Sequence, residues 1–165
     1  QLSWHPLLEM KNKLKIERHW AMPNHKTFSI LPLKKLIHEE LGESYMDPFP
    51  YPFKQDAIKY LKNVPANSID NLVFDPPYSS YQLKTKYENA GLSLNNKYNA
   101  SYWSNCKKEI SRIVKEGGKV ISFGWNSNGI GKKYGFKIYK IVLIAHGSYH
   151  NDTIATAEIK DTRSL

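Results

Sequence analysis

The residues best suited to chemistry in this chain are Asp75-Pro76-Pro77-Tyr78, which follow the short apolar run Asn71-Leu72-Val73-Phe74. A nucleobase amino group is a poor nucleophile because its lone pair is delocalised into the ring. Two acceptors, one on each N–H, draw that density back onto nitrogen. A carboxylate at Asp75 and the backbone carbonyl of Pro76 fit those two roles. Consecutive prolines suit the arrangement, since they fix φ and carry no N–H to compete for the carbonyl. Tyr78 would stack on the base, which must leave a duplex or come from a single strand to reach such a pocket. Pro-Pro also occurs in ordinary turns, but the apolar run before Asp75 is the support that the chemical reading requires.

That run has the profile of a buried central parallel strand, and the carboxyl end of such a strand is where open α/β sheets bind ligands. Downstream, residues 101–114 pattern as a helix closed by Glu116-Gly117-Gly118, and residues 119–124 as a second buried strand. Strand, helix and strand in this order predict an α/β sheet. Residues 136–145 and 153–160 are strand-like and joined by a short link, predicting an antiparallel hairpin. Upstream, residues 32–41 read as a helix with Pro32 in its first turn and Gly42 after its end, and residues 55–61 as a shorter one. Residues 7–16 are a weakly amphipathic helix, and residues 20–28 are irregular. The stretch after Ser79, with Tyr81, Lys84, Lys86 and Tyr87, reads either as a loop that tracks phosphates and stacks bases or as a plain solvated loop. Trp125-Asn126-Ser127-Asn128-Gly129 reads as part of the pocket wall or as a turn into a short helix at 129–134. His150-Asn151-Asp152 reads as pocket lining or as a turn held by Asx hydrogen bonds.

A chain of 165 residues suits a single domain, here an N-terminal helical extension over 1–19 and a catalytic core over 20–160. Its 41% hydrophobic and 24% charged residues are those of a globular protein, and apolar runs such as 141–145 are too short to span a bilayer. Nothing resembling a signal peptide is visible. The single cysteine, Cys106, permits no internal disulfide, so a cytoplasmic protein is expected. The histidines show no metal-site spacing, and no metal is expected. A net charge of +9, from 24 Lys and Arg against 15 Asp and Glu, favours nucleic acid as the partner.

With these motifs together, the chain resembles the S-adenosylmethionine-dependent DNA adenine methyltransferases of the Asp-Pro-Pro-Tyr class, particularly the small phage-type enzymes. The resemblance runs from Trp20 to about Lys160. It rests on Thr27-Phe28, the Pro32 helix, Asp47-Pro48-Phe49, Asp56-Ala57, Asn67-Ser68-Ile69-Asp70 before Asp75-Pro76-Pro77-Tyr78-Ser79, Gly117-Gly118-Lys119, Ser122-Phe123-Gly124-Trp125-Asn126 and His150-Asn151-Asp152-Thr153-Ile154. It implies a Rossmann-like, mostly parallel sheet with a C-terminal antiparallel hairpin, the class I methyltransferase arrangement. It also implies methyl transfer from S-adenosylmethionine to the N6 amino group of adenine in DNA, in a phage or prophage setting. By the same resemblance, Asp75, Pro76, Pro77 and Tyr78 are catalytic. Asp47, Pro48 and Phe49 match the cofactor motif, Thr27 and Phe28 the segment holding the methionine part, and Asp56 lies near the cofactor adenine. RNA or another base amino group would suit the same acceptors. A rival of another class is an inactive nucleic-acid-binding relative.

One departure bears on that rival. The family has a glycine after Asp-Pro-Phe, then a helix and a strand ending in an acid for the ribose, whereas here only Pro50-Tyr51-Pro52-Phe53-Lys54-Gln55 separates Phe49 from Asp56. A parallel crossover needs a dozen or more residues. Three readings follow: residues omitted from the sequence, a natural deletion that weakens cofactor binding, or a chance match at Asp47-Pro48-Phe49.

Overall fold

The computed structural model describes residues 13–24, 26–94 and 101–164. Five strands form one sheet: β1 (Lys15–Trp20), β2 (Ile69–Phe74), β3 (Val114–Gly124), β4 (Phe136–Ala145) and β5 (Thr153–Lys160), in the order β1-β4-β5-β3-β2. β1 runs parallel to β4 and β2 parallel to β3, while β5 is antiparallel to both β3 and β4. All strands but β5 therefore point the same way. The expected fold, a Rossmann-like, mostly parallel sheet with a C-terminal antiparallel hairpin, is the one observed.

Helices cover both faces beside β2 and β3. On one face lie α2 (Ala57–Lys62), α3 (Ser80–Asn89) and α4 (Tyr102–Ile113). Leu61, Leu83, Tyr87, Tyr102, Cys106 and Ile110 of these helices are buried with Phe74 and Val120 of the sheet. On the other face, α1 (Leu31–Leu41) packs Leu33, Leu36 and Ile37 against Val73, Ile121, Phe123, Val142 and Ile144. Polar groups fix α1 as well. The Tyr139 hydroxyl donates to Glu40 at 2.8 Å, Lys119 Nζ reaches the same carboxylate at 3.3 Å, and the nearly buried Lys140 ammonium lies 3.4 Å from Glu17. Tyr139 and Lys140 are neighbours yet both meet Glu40, because the ladder to β5 shifts register between Ile138 and Lys140.

A second irregularity sits where β3 begins. The β2–β3 register jumps from Ile69 opposite Val114 to Asn71 opposite Lys119, and the extra residues fold up at Gly117-Gly118. A Cβ on Gly118 would stand 2.6 Å from Val114 Cγ1 and 3.0 Å from the Asp70 carbonyl, so only glycine lets the backbones approach there.

Several expectations need correction. Residues 15 and 16, read as the end of a helix, belong to β1, so the supposed N-terminal helical extension contributes an edge strand from residue 15 on; residues 1–12 lie outside the described part. The apolar spacing of Leu14, Ile16 and Trp20 has period two and was overridden by the lysines between. Residues 80–89, read as a loop, form α3: Ser79 accepts from Gln82 N as N-cap, and Leu83 and Tyr87 bury one face. β2, expected to be central, ends the sheet order, and among the described residues only Met46 pairs with its outer edge. The helix expected at 129–134 reduces to a single 3-10 turn, Lys132–Tyr134. Among the described residues no helix is long and apolar enough to cross a membrane.

Glu158 on β5 is fully buried, and its carboxylate accepts from Ile130 N at 2.6 Å and Gly131 N at 2.9 Å. This holds the chain leaving β3 against the sheet. Gly129 precedes that contact at φ 54, where a Cβ would overlap the carboxylate. Burial raises the Glu158 pKa to about 7, against the pull of the two backbone N–H groups and Lys107. A raised carboxyl pKa stabilises the fold most below its unfolded value of 4.5, and that contribution is lost as pH rises through about 7. Chemical denaturation across this window should show the unfolding free energy fall by about 3 kcal/mol on account of this group. The Glu158→Gln variant should flatten that slope, and an unchanged slope would mean that Glu158 is ionised throughout.

Candidate functional site

The turn after β2 is built from inside outward. Phe74 anchors the strand in the core, and Pro76 and Pro77 are buried beyond it. The Pro77 carbonyl accepts from Trp103 Nε1 of α4 at 2.8 Å, Tyr78 N donates to Gln82 Oε1 at 2.8 Å, and Ser79 caps α3. The turn is thus tied to α3 and α4. No described residue donates to the Pro76 carbonyl, which leaves it available beside Asp75.

Asp75 Oδ1 accepts from the Tyr78 hydroxyl at 2.8 Å, and Thr27 lies close enough to favour the charged carboxylate. Burial pushes the Asp75 pKa above the usual carboxylate range, opposed by Tyr78, Thr27 and the Lys86 ammonium. Burial and the Asp75 carboxylate push the Tyr78 phenol up in turn, so it stays a donor at neutral pH. Its ring meets Trp125 edge-on, with centroids 5.6 Å apart.

Two cavities flank this turn. One, of about 750 Å³, is bounded by Pro23, Asp75, Pro76, Tyr78, Trp125 and the hairpin residues His150 and Asn151. The other, of about 730 Å³, is bounded by Phe28, Tyr45, Asp47, Phe49, Tyr51 and Asp75. Thr27, Asp75 and Lys86 belong to both, so the Asp75 carboxylate stands in the partition. Either volume is ample for a nucleoside-sized ligand.

The structure thus gathers most residues expected at the site. Asp47 accepts from Phe49 N at 2.8 Å, and burial raises its pKa to about 6, with Asp75 adding to the rise and Lys86 and the Phe49 N–H opposing it. Phe28 packs on Phe123 and Tyr45, which sets the Thr27–Ser29 turn over the ends of the strands. Pro48 is buried and lines neither cavity. Asp56 stands apart: its carboxylate accepts from Lys59 N at 3.0 Å as the N-cap of α2, and it too lines neither cavity.

The short link between Phe49 and Asp56 closes because its aromatics enter the core. Phe49 and Phe53 stack at 6.0 Å, Phe49 meets Phe74 and Tyr102, and Phe53 meets Tyr87. Before it, Met46 bonds to the backbone of β2, donating to Asn71 O and accepting from Val73 N, both at 2.9 Å, while the Asn71 side-chain amide donates to Leu41 O at 3.1 Å.

Other contributors were not singled out from sequence. Lys86 lay in the stretch read as a loop, and α3 places it at the junction of the cavities. His146, expected at the surface, is buried, with Nδ1 2.8 Å from Ala21 O and Nε2 2.8 Å from Thr153 Oγ1. It fastens the segment before Thr27 to the hairpin. Asp152 accepts from His146 N at 3.2 Å, the expected Asx bond, while His150 and Asn151 face the larger cavity. Among the described residues no group of three or more His, Cys, Asp or Glu could hold a metal ion.

Comparison with known proteins places this site in context. No family model matches the chain. It is 37% identical over 100 residues to the Type II methyltransferase M.HpaI of Haemophilus parainfluenzae, an alignment covering 60% of this chain and 29% of that protein. The chain thus spans less than a third of the length of this relative. Among solved structures, TTHA0409 of Thermus thermophilus, a candidate DNA modification methylase, is 15% identical with a TM-score of 0.42 over 64% of this chain and 50% of that one. TrmN of Thermus thermophilus is 12% identical, with a TM-score of 0.44 over 93% of this chain and 47% of its own.

The hydrogen bond from Tyr78 favours the charged form of Asp75, so its removal should raise the Asp75 pKa further. Carbon-detected NMR titration of Tyr78→Phe should place the Asp75 midpoint above that of the unaltered chain. An unmoved midpoint would show that this contact does not govern the carboxylate.

Proposed function

We propose that this chain transfers a methyl group from S-adenosylmethionine to the exocyclic N6 amino group of adenine in DNA. One observation carries the reading: Asp75 stands between two nucleoside-sized cavities, and Pro76, whose carbonyl accepts from no described residue, lines one of them beside it. The likeness to a Type II methyltransferase supports methyl transfer, the net charge of +9 suits a polyanionic substrate, and the Asp-Pro-Pro-Tyr resemblance supports an amino group as acceptor.

In this reading the target base enters the cavity walled by Pro76, Tyr78, Trp125 and the hairpin. Its amino group donates one N–H to Asp75 and the other to the Pro76 carbonyl, which returns lone-pair density to nitrogen. Asp75 accepts most strongly when ionised, so its raised pKa lifts the acid limb of activity above the usual carboxylate range. Trp103 and Gln82 hold the turn in place, limiting reorganisation. Tyr78 has two tasks, donating to Asp75 and presenting its ring to the base.

The cavity on the other side suits the cofactor in size and in its aromatic and acidic lining. S-adenosylmethionine supplies there an electrophilic methyl on a sulfonium. Thr27, Phe28, Asp47 and Phe49 would hold it, with Asp47 facing its cationic part and Phe28 and Tyr45 its apolar surface. Pro48 acts from beneath by fixing the backbone between Asp47 and Phe49. Asp56 contributes through the placement of α2, since its carboxylate is engaged as a cap.

Calorimetry should detect S-adenosylmethionine binding that strengthens as pH rises through about 6, where Asp47 ionises, and Asp47→Asn should remove that dependence. Asp75→Ala should lower methyl transfer to mixed-sequence DNA by about 100-fold or more, with cofactor affinity changed by no more than about threefold. Mass spectrometry of digested DNA should find N6-methyladenine. Methylated cytosine, or methylation of RNA alone, would replace the proposed acceptor. No cofactor binding with DNA binding intact would make this an inactive relative.

A further inference from the structure

Beyond the Asp75 turn lies a smaller recess of about 400 Å³ that shares Pro76, Pro77, Tyr78 and Trp125 with the larger cavity. Trp103, Lys107, Asn126 and Asn128 complete its wall, and Gly124 forms part of its floor. Three features distinguish it from an incidental dent.

Lys107 is half-buried, and no described residue gives its ammonium a hydrogen bond or an ion pair. Burial lowers its pKa, and Glu158 opposes this only through space. A cation in that position gains from an anion brought to it. Trp125 is 44% exposed, a large indole left at the mouth with only its edge contact to Tyr78. Asn126 Oδ1 accepts from Asn128 N at 3.0 Å, which orders the loop, while the Asn128 side-chain amide and the Asn126 amide N–H groups bond to no described residue. A cation, an aromatic surface and free amides side by side match the three parts of a nucleotide: phosphate, base face and base edge.

We propose that this recess is the subsite for the nucleotide next to the target base, with its phosphate on Lys107, its base against Trp125 and its edge read by Asn126 and Asn128. The inference rests on the nucleic-acid reading above but not on methyl transfer. The shared wall sets the geometry, for a nucleotide adjacent in the strand must lie next to the cavity that holds the target. It also places sequence preference on a loop of the core itself.

Gly124 offers a test, because it lines the recess and a Cβ there meets nothing closer than Asn126 O at 3.8 Å, so the backbone accepts a side chain at the recess wall. Fluorescence anisotropy on the full chain, with single-stranded DNA oligonucleotides carrying one adenine, would compare an intact neighbour with an abasic one. The abasic neighbour should weaken binding about tenfold in the unaltered chain, consistent with the loss of one stacked base. Gly124→Leu should weaken binding of the intact strand by a similar factor and then be indifferent to the abasic site. Asn128→Ala, an exposed change, should show the same indifference in part. Lys107→Gln should lower the salt slope by about 0.7, as expected for one phosphate contact on a single strand. Losses that simply add between variant and abasic strand would overturn the subsite, as would a neighbour whose removal costs nothing. The readout needs no cofactor. Binding with these couplings but without methylation would defeat the proposed function alone, whereas methylation indifferent to the neighbour would defeat the subsite alone.

Discussion

A carboxylate at the end of a strand whose preceding residues are fully inside the core is expensive to keep charged, and much of this structure is arranged around that cost. Asp75 stays in place because Tyr78 donates to it and Thr27 and Lys86 lie within electrostatic reach. Those groups come from separate parts of the chain: the turn before α1, the loop after β2 and the middle of α3. Each must itself be held. α1 is fixed by Glu40 to β3 and β4, α3 starts from the Ser79 cap, and Trp103 of α4 bonds the loop between them. Losing any of these anchors would leave Asp75 less well solvated by protein and more readily neutralised.

How much of this was legible follows from the range of the signals. Apolar runs bounded by turn residues marked β2, the end of β3 and the hairpin, because burial on both faces leaves a local trace in sequence. The helix at 31–41 carried Pro32 and Gly42 as a start and a stop. α3 carried its own marks, Ser79 as cap and Leu83 and Tyr87 one turn apart, but the charged and aromatic residues between them imitate a binding loop. β1 was harder, since its exposed residues have no burial pattern and its pairing with β4 links residues more than a hundred positions apart. At the site, the Asp-Pro-Pro-Tyr turn could be read locally. That Trp103 and His146 are structural posts could not, because their partners, Pro77 and Ala21, are distant in sequence.

The six-residue link after Phe49 poses a different physical problem. A sheet that ends at β2 leaves apolar side chains of that strand near solvent, and the chain meets this by turning Phe49 and Phe53 inward onto Phe74, Tyr87 and Tyr102. Aromatic stacking thus replaces the missing layer on that flank. The same turn leaves Asp47 above β2, close enough to Asp75 for each to feel the other. The placement of Asp47 beside Asp75 follows from that packing of Phe49.

Sharing of walls has a further consequence. Thr27, Asp75 and Lys86 belong to the cavities on both sides of the partition, so occupancy of one changes the electrostatics of the other. A cation near Asp47 would offset that carboxylate's repulsion of Asp75 and so ease ionisation of Asp75, because the two carboxylates disfavour each other's charge. Binding on the Asp47 side would then prepare Asp75 to accept a hydrogen bond on the other. By linkage, a base donating to Asp75 would favour a cation at Asp47 to the same degree. The order of binding needs no moving part in such a site, since the coupling travels through two half-buried carboxylates and the Lys86 ammonium within reach of both.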